Sequence, residues 1–251
     1  MIYKYRDRDF TGIDGHMFVH NGITEENTPF YIRNLSNQVN TVTFQKTDIY
    51  TTTITIEISK NSRKWDILGD TSVEGISTTI PAYGVLYIRS NNNSFGYNHI
   101  RMSHNSEVGG NIMSLIYGDE FNGSQTSFKN SSGKDFLATF SGNNTLLYSS
   151  KLLLPAKKLH ENSYQSLFFN CTSLRDTPII PAANLARNCC IYMFKGCSSL
   201  QTATCLFEGD IYGVTNWMDG VPATGTFYKK AGVTWPSGVS GIPSGWTVVE
   251  V

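Results

Sequence analysis

Phe140-Ser-Gly-Asn-Asn-Thr-Leu146 returns as Phe168-Phe-Asn-Cys-Thr-Ser-Leu174 and again as Phe194-Lys-Gly-Cys-Ser-Ser-Leu200. An aromatic opens each copy, a leucine closes it, and small polar residues or cysteine lie between. A word that returns after 28 and then 26 residues marks a repeat architecture. Each unit is one supersecondary element that cannot bury its apolar face alone and must stack on its neighbours. Function is then expected on a surface rather than in a catalytic pocket.

The agreement extends outward from the word. Leu154-Pro-Ala-Lys-Lys-Leu159 matches Ile180-Pro-Ala-Ala-Asn-Leu185, and Tyr164 and Cys190 stand at the same distance before Phe168 and Phe194. The expected ladder of inward residues is Phe140, Leu146, Phe168, Cys171, Leu174, Phe194, Cys197 and Leu200. A small, adaptable cysteine suits a buried position that stacks on its counterpart in the next coil. Trp217-Met-Asp-Gly-Val221 echoes Met193-Phe-Lys-Gly-Cys197, after which the pattern breaks into a stretch rich in Pro, Gly, Lys and Trp that ends with Gly241-Ile-Pro-Ser-Gly-Trp-Thr-Val-Val249. We read residues 207–251 as a C-terminal cap, because an open stack must cover its last apolar face.

These residues carry a family resemblance. Met-Phe-x-Gly-Cys-Ser-Ser-Leu, a short apolar stretch, apolar-Pro-Ala-x-x-Leu-Ala-x-x-Cys and the next Met-Phe resemble the BspA-type (Treponema pallidum-like) leucine-rich repeats of Bacteroidales surface proteins and of the tailed, crAss-like phages that infect them. The resemblance covers residues 136–251 and departs from the pattern at Asn143, which replaces the cysteine of the first unit. It implies short strands at Leu174–Ile179 and Leu200–Leu206, and it extends to the junction Val108-Gly-Gly-Asn-Ile-Met-Ser-Leu-Ile-Tyr-Gly118.

Upstream, Phe30–Leu35, Val39–Phe44, Thr51–Ser59, Lys64–Leu68, Ile76–Ile80 and Val85–Ser90 are short, β-branched or aromatic runs separated by turn residues. That spacing belongs to a sandwich. The alternation in Thr53-Ile-Thr-Ile-Glu-Ile-Ser59 puts three isoleucines on one face, and Trp65, two residues before Ile67, is expected in the core. The expected fold is mainly β: an N-terminal attachment arm over residues 1–28, an immunoglobulin-like β-sandwich over 29–107, about three leucine-rich repeats over 108–206, and the cap.

Composition narrows function. Twenty basic and twenty acidic residues balance at pI 6.9, which gives no electrostatic case for nucleic acid or a membrane surface. No apolar run is long enough to span a bilayer, and the first ten residues lack a signal peptide's apolar core, so export by the usual route is not expected. Five cysteines, none before residue 171 and none in a CxxC pair, read as reduced structural thiols rather than as a disulfide framework or metal site. His16 and His20 have helical spacing but lie among glycines. Glu25-Glu26 and Asp119-Glu120 read as solvated turns, and no GxSxG or phosphate loop occurs. No catalytic residue, cofactor or metal is therefore assigned.

The resemblance and this composition together imply a non-enzymatic virion component: a head or tail fibre or decoration protein, held to other virion proteins by its N-terminal part and presenting its repeats to a host-surface glycan or protein. Fibre proteins are commonly homotrimers, and an all-β chain with open edges suits one. The alternative is a Bacteroidales cell-surface adhesin of the same family. Tyr164, Asn188, Tyr192, Tyr212 and Trp217 are the candidate binding residues, since aromatic and amide side chains stack on sugars and hydrogen-bond their hydroxyls. Tyr164 and Tyr192 compete with a packing role, because aromatics in repeat register usually face inward.

Overall fold

The computed structural model describes residues 2–5, 8–11, 18–20, 23–130, 133–181, 185–208 and 211–251, with side chains from residue 26 onward. Strands β1 (Ile2–Tyr5), β2 (Arg8–Thr11), β3 (Phe18–His20) and β4 (Ile23–Thr24) form an antiparallel meander of their own. The expected arm is thus a small sheet. His16 lies outside the described residues.

The two-layered part follows from the alternating runs. One layer carries β5 (Tyr31–Asn34), β7 (Thr55–Ser59), β8 (Asp66–Asp70), β10 (Val85–Ser90) and β12 (Ser106–Asn111) in the order β12-β5-β10-β7-β8. The facing layer is β11-β6-β9, built from β6 (Asn40–Lys46), β9 (Ile76–Ile80) and β11 (Asn98–Met102). Ile32, Val42, Phe44, Ile54, Ile56 and Ile88 fill the space between them. Trp65 corrects the sequence reading. It precedes β8 and lies half-buried on the outer face with the Arg89 guanidinium 4.5 Å above its ring, and Ile67 is 75% exposed. The reason is a register shift between Ile56 and Glu57, which sets Ile67 opposite Glu57. Residues paired across strands share a face, and Glu57 is on the solvent side, bonded to Arg89 at 2.7 Å.

From β12 the same sheet becomes a solenoid of about four turns. β13 (Leu146–Leu153), β14 (Asp176–Ile180), β15 (Thr202–Cys205), β16 (Thr226–Lys229) and β17 (Thr247–Glu250) add to β12 in parallel, one strand per coil. β12 therefore belongs to both halves: antiparallel to β5 on one side, parallel to β13 on the other. Three backbones converge there, which explains the glycine pair of the junction. A Cβ on Gly109 would stand 2.3 Å from the Tyr31 ring, and one on Gly110 2.2 Å from the Pro29 carbonyl oxygen. One continuous apolar core runs from Phe30 to Trp246 across the seam.

Opposite the sheet, each coil runs as a ribbon of consecutive turns in which alternate N–H groups have different destinations. Tyr164, Ser166, Phe168 and Asn170 donate to Cys189, Ile191, Met193 and Lys195 of the next coil at 2.8–2.9 Å, whereas Gln165, Leu167, Phe169 and Cys171 donate back three residues within their own coil. Every fourth residue takes a left-handed φ: Asn162, Ser166 and Asn170 at 60°, 57° and 55°, then Asn188, Tyr192 and Gly196 at 56°, 57° and 77°. A left-handed conformation costs a non-glycine residue roughly 1–2 kcal/mol, which the second inter-coil ladder offsets.

All eight residues of the expected ladder are fully buried. Phe140, Phe168 and Phe194 stack at 5.3 and 5.5 Å with their rings within 17° of parallel. Cys171 donates its thiol to the Phe140 carbonyl at 3.0 Å and Cys197 to the Phe168 carbonyl at 3.1 Å. Burial pushes the Cys171 thiol up to about 12, so it is protonated and inert at neutral pH. Asn143 departs from this pattern for a visible reason. The first coil has no coil before it and rests on β11 instead, where Asn143 donates to the Ile100 carbonyl at 2.6 Å and accepts from the Met102 N–H at 3.1 Å. At the far end the tryptophans close the stack. Trp235 lies parallel to Trp217 at 5.3 Å, and the indoles of Trp217 and Trp246 donate to Gly241 and Pro222 at 2.8 Å.

Candidate functional site

A shallow groove of about 500 Å³ crosses the outer side of the turn ribbon. Its lining comes from four successive layers: Tyr97 beside β11, then Leu137 and Ser141, then Gln165 and Phe169, then Tyr192 and Lys195. The repeat builds it. Ser141, Phe169 and Lys195 each follow the inward phenylalanine of the word, so inter-coil stacking that buries Phe140, Phe168 and Phe194 turns their successors outward in a row. Tyr192 is held by its left-handed backbone, and the Lys195 ammonium lies 5.2 Å from its ring centroid while pairing with Asp219 at 2.8 Å. Aromatic faces, hydroxyls and an amide share the groove, and none of its nine lining residues is acidic.

The five sequence candidates separate. Tyr192 lies in the groove. Tyr164 and Trp217 are core residues at 1% and 0% exposure and have no face for a ligand, which corrects their assignment. Tyr164 stacks on Phe136 at 6.2 Å, and Trp217 supports the cap. Asn188 is half-buried and serves the ribbon as a left-handed turn residue. Tyr212 is 52% exposed, donates its hydroxyl to the Leu185 carbonyl and does not line the groove.

Sequence reading named only Tyr192 of the nine lining residues; those it missed include Tyr97, Ser141, Gln165, Phe169 and Lys195. The repeat register carried the signal for Ser141, Phe169 and Lys195, as the position after each inward aromatic. Nothing in the sequence announced Tyr97, which reaches the groove because β11 stands in for a preceding coil. Behind it, Tyr97 meets His99 edge-on at 5.3 Å, and burial together with Arg101 pushes the His99 imidazole down to about 4.

Elsewhere the fold assembles Asp135, His160 and Ser163 between the first two coils. Ser163 Oγ is 3.2 Å and His160 Nδ1 3.5 Å from Asp135 Oδ2. The carboxylate lies between the other two, so the imidazole is not placed to activate the hydroxyl, and Ser163 is fully buried. Burial pushes the Asp135 carboxyl up to about 6, against the pull of His160 and Ser163. The cluster joins adjacent coils.

Comparison of the chain with protein families, with curated proteins and with solved structures finds no match.

Proposed function

We propose that this chain is a non-enzymatic structural and adhesion protein of a bacteriophage virion, a fibre or decoration protein whose repeat face binds a host-surface glycan. In this reading the coils are BspA-type leucine-rich repeats, the sandwich is immunoglobulin-like, and the N-terminal part attaches to other virion proteins, with a homotrimer as the fibre-like assembly. The observation that carries the binding role is the groove. It spans several coils, offers Tyr97, Phe169 and Tyr192 as stacking faces beside Ser141 and Gln165 as hydrogen-bonding groups, and contains no carboxylate pair of the kind glycoside hydrolysis requires.

Mass spectrometry of purified phage particles, paired with immunogold labelling by antibody to this chain, tests the assignment. Labelled heads or tails support it. Signal on bacterial envelopes with none on particles overturns it.

A further inference from the structure

The tip of the β7–β8 hairpin, Lys60-Asn-Ser-Arg-Lys64, gathers three cations in five residues. Lys60, Arg63 and Lys64 are all exposed. Among the described residues none of them enters an ion pair, with Asp66 or with any other carboxylate, whereas Arg33, Arg89, Lys151 and Lys195 each do. The register that sets Ile58 opposite Asp66, carried on by two residues, sets Lys60 across from Lys64. Like charges directly opposite one another oppose strand pairing, and Arg63 adds a third between them.

The turn is nevertheless held in one shape. The Asn61 side-chain oxygen accepts from the Arg63 N–H at 3.0 Å, the Lys64 N–H at 3.1 Å and the Ser59 hydroxyl at 3.2 Å. Ser62 donates its hydroxyl to the Asn61 carbonyl at 2.7 Å and takes a left-handed φ of 58°, away from the turn ribbon and its inter-coil ladder. A strained backbone and converging like charges coincide at the tip, and an anion seated there relieves the second. Edge protection does not require the three cations, because β8, the edge strand, already carries Asp66 and Asp70 at its ends and a register shift beside β7. The chain as a whole has no net charge, so attraction of a polyanion must come from a local concentration of this kind.

Residues 60–64 carry no apolar side chain that could enter lipid. Trp65, the next residue, is half-buried with the Arg89 guanidinium over its ring, so it offers stacked bases no open platform. We infer that this hairpin tip docks an anionic polysaccharide, with Lys60, Arg63 and Lys64 pairing its sulfate or carboxylate groups. The site is separate from the groove, which none of the three lines, and it goes beyond the glycan-binding reading of the groove without depending on it.

The test passes the full chain over immobilised dextran sulfate and polygalacturonate, beside unmodified dextran, and elutes with salt. Retention on one or both anionic resins, with none on dextran, is the expected result. The triple variant Lys60→Gln, Arg63→Gln, Lys64→Gln binds about tenfold or more weakly, and the slope of log affinity against log salt falls by about two to three. Thermal stability is unchanged, since all three positions are exposed. The double variant Lys157→Gln, Lys158→Gln, which removes two exposed neighbouring lysines from the solenoid, leaves retention as it was. Failure to bind either anionic resin overturns the inference, as does equal retention on dextran, undiminished retention of the triple variant or an equal loss in the double variant. Tighter binding to single-stranded oligothymidylate or to phosphatidylserine vesicles than to either polysaccharide overturns it as well.

Discussion

The thiol of Cys197 donates to the carbonyl of Phe168 one coil earlier, at 3.1 Å, and Cys171 repeats the same step onto Phe140. The cysteine of the word is thus a donor aimed at the stacked aromatic's own backbone. Cys197→Ala removes one of the two donors to that carbonyl, leaving the Cys171 N–H, opens a small void, and lowers stability by about 1–2 kcal/mol. Urea denaturation reads the loss. Asn143→Cys costs about as much, because a thiol cannot hold both Ile100 and Met102 of β11.

Phe168 has a ring on either side, so Phe168→Ala removes two stacking contacts at once. A loss of about 3–5 kcal/mol is expected. Since one core runs through both halves, unfolding of a Trp65→Phe background followed by tryptophan fluorescence, which then reports only the cap, and by circular dichroism, which reports all the strands, shifts together. Two separate transitions would contradict a shared core.

Asp135 and His99 give stability opposite pH dependences. The carboxyl of Asp135 is raised from 3.8 to about 6 in the fold, so its contribution is full below pH 4 and is lost as pH rises through 6. His99 is lowered from 6.5 to about 4, so its contribution is present above pH 6.5 and is lost as pH falls through 4. The two slopes oppose one another between pH 4 and 6. Asp135→Asn leaves a protein whose urea midpoint falls toward acid, and His99→Gln one whose midpoint rises. Parallel profiles for both variants and the parent would show that neither group is shifted.

Tyr192 carries an aromatic side chain at φ 57°. Tyr192→Gly relieves the backbone and gains up to about 1 kcal/mol, while removing a stacking face from the groove. Thermal denaturation and glycan binding measured on the same variant are expected to move in opposite directions.

Gly109→Ala sets a methyl carbon against the Tyr31 ring at the seam. Overpacking there costs about 1–3 kcal/mol, read as a lowered urea midpoint.

Much of this organisation was legible before any coordinates. Ile76–Ile80 and Val85–Ser90 are strands with the bounds that their β-branched and aromatic runs between turn residues gave them, and the phenylalanine word located the stacked core. What escaped reading had physical causes. The shift at Ile56 and Glu57 moved Trp65 and Ile67 out of the core, and a single-residue slip leaves no trace in composition. The ribbon escaped because its left-handed positions are filled by Asn, Ser, Tyr, Ala and Lys as well as Gly. The groove was half visible: its row after the inward aromatics follows the repeat, whereas Tyr97 enters it only through the tertiary substitution of β11 for a coil.

The parity of the turn ribbon makes the stack extensible in whole units. Each coil offers the next the same set of carbonyls that it used itself, so an extra copy of about 26 residues could be spliced between β14 and β15 without disturbing either terminus. Each splice would lengthen the array by one strand spacing, about 4.8 Å, and the exposed row beside the inward aromatics with it. Reach along a polymeric target would then change by duplication or deletion of coding segments in discrete increments, a route open to a lineage tracking a variable surface.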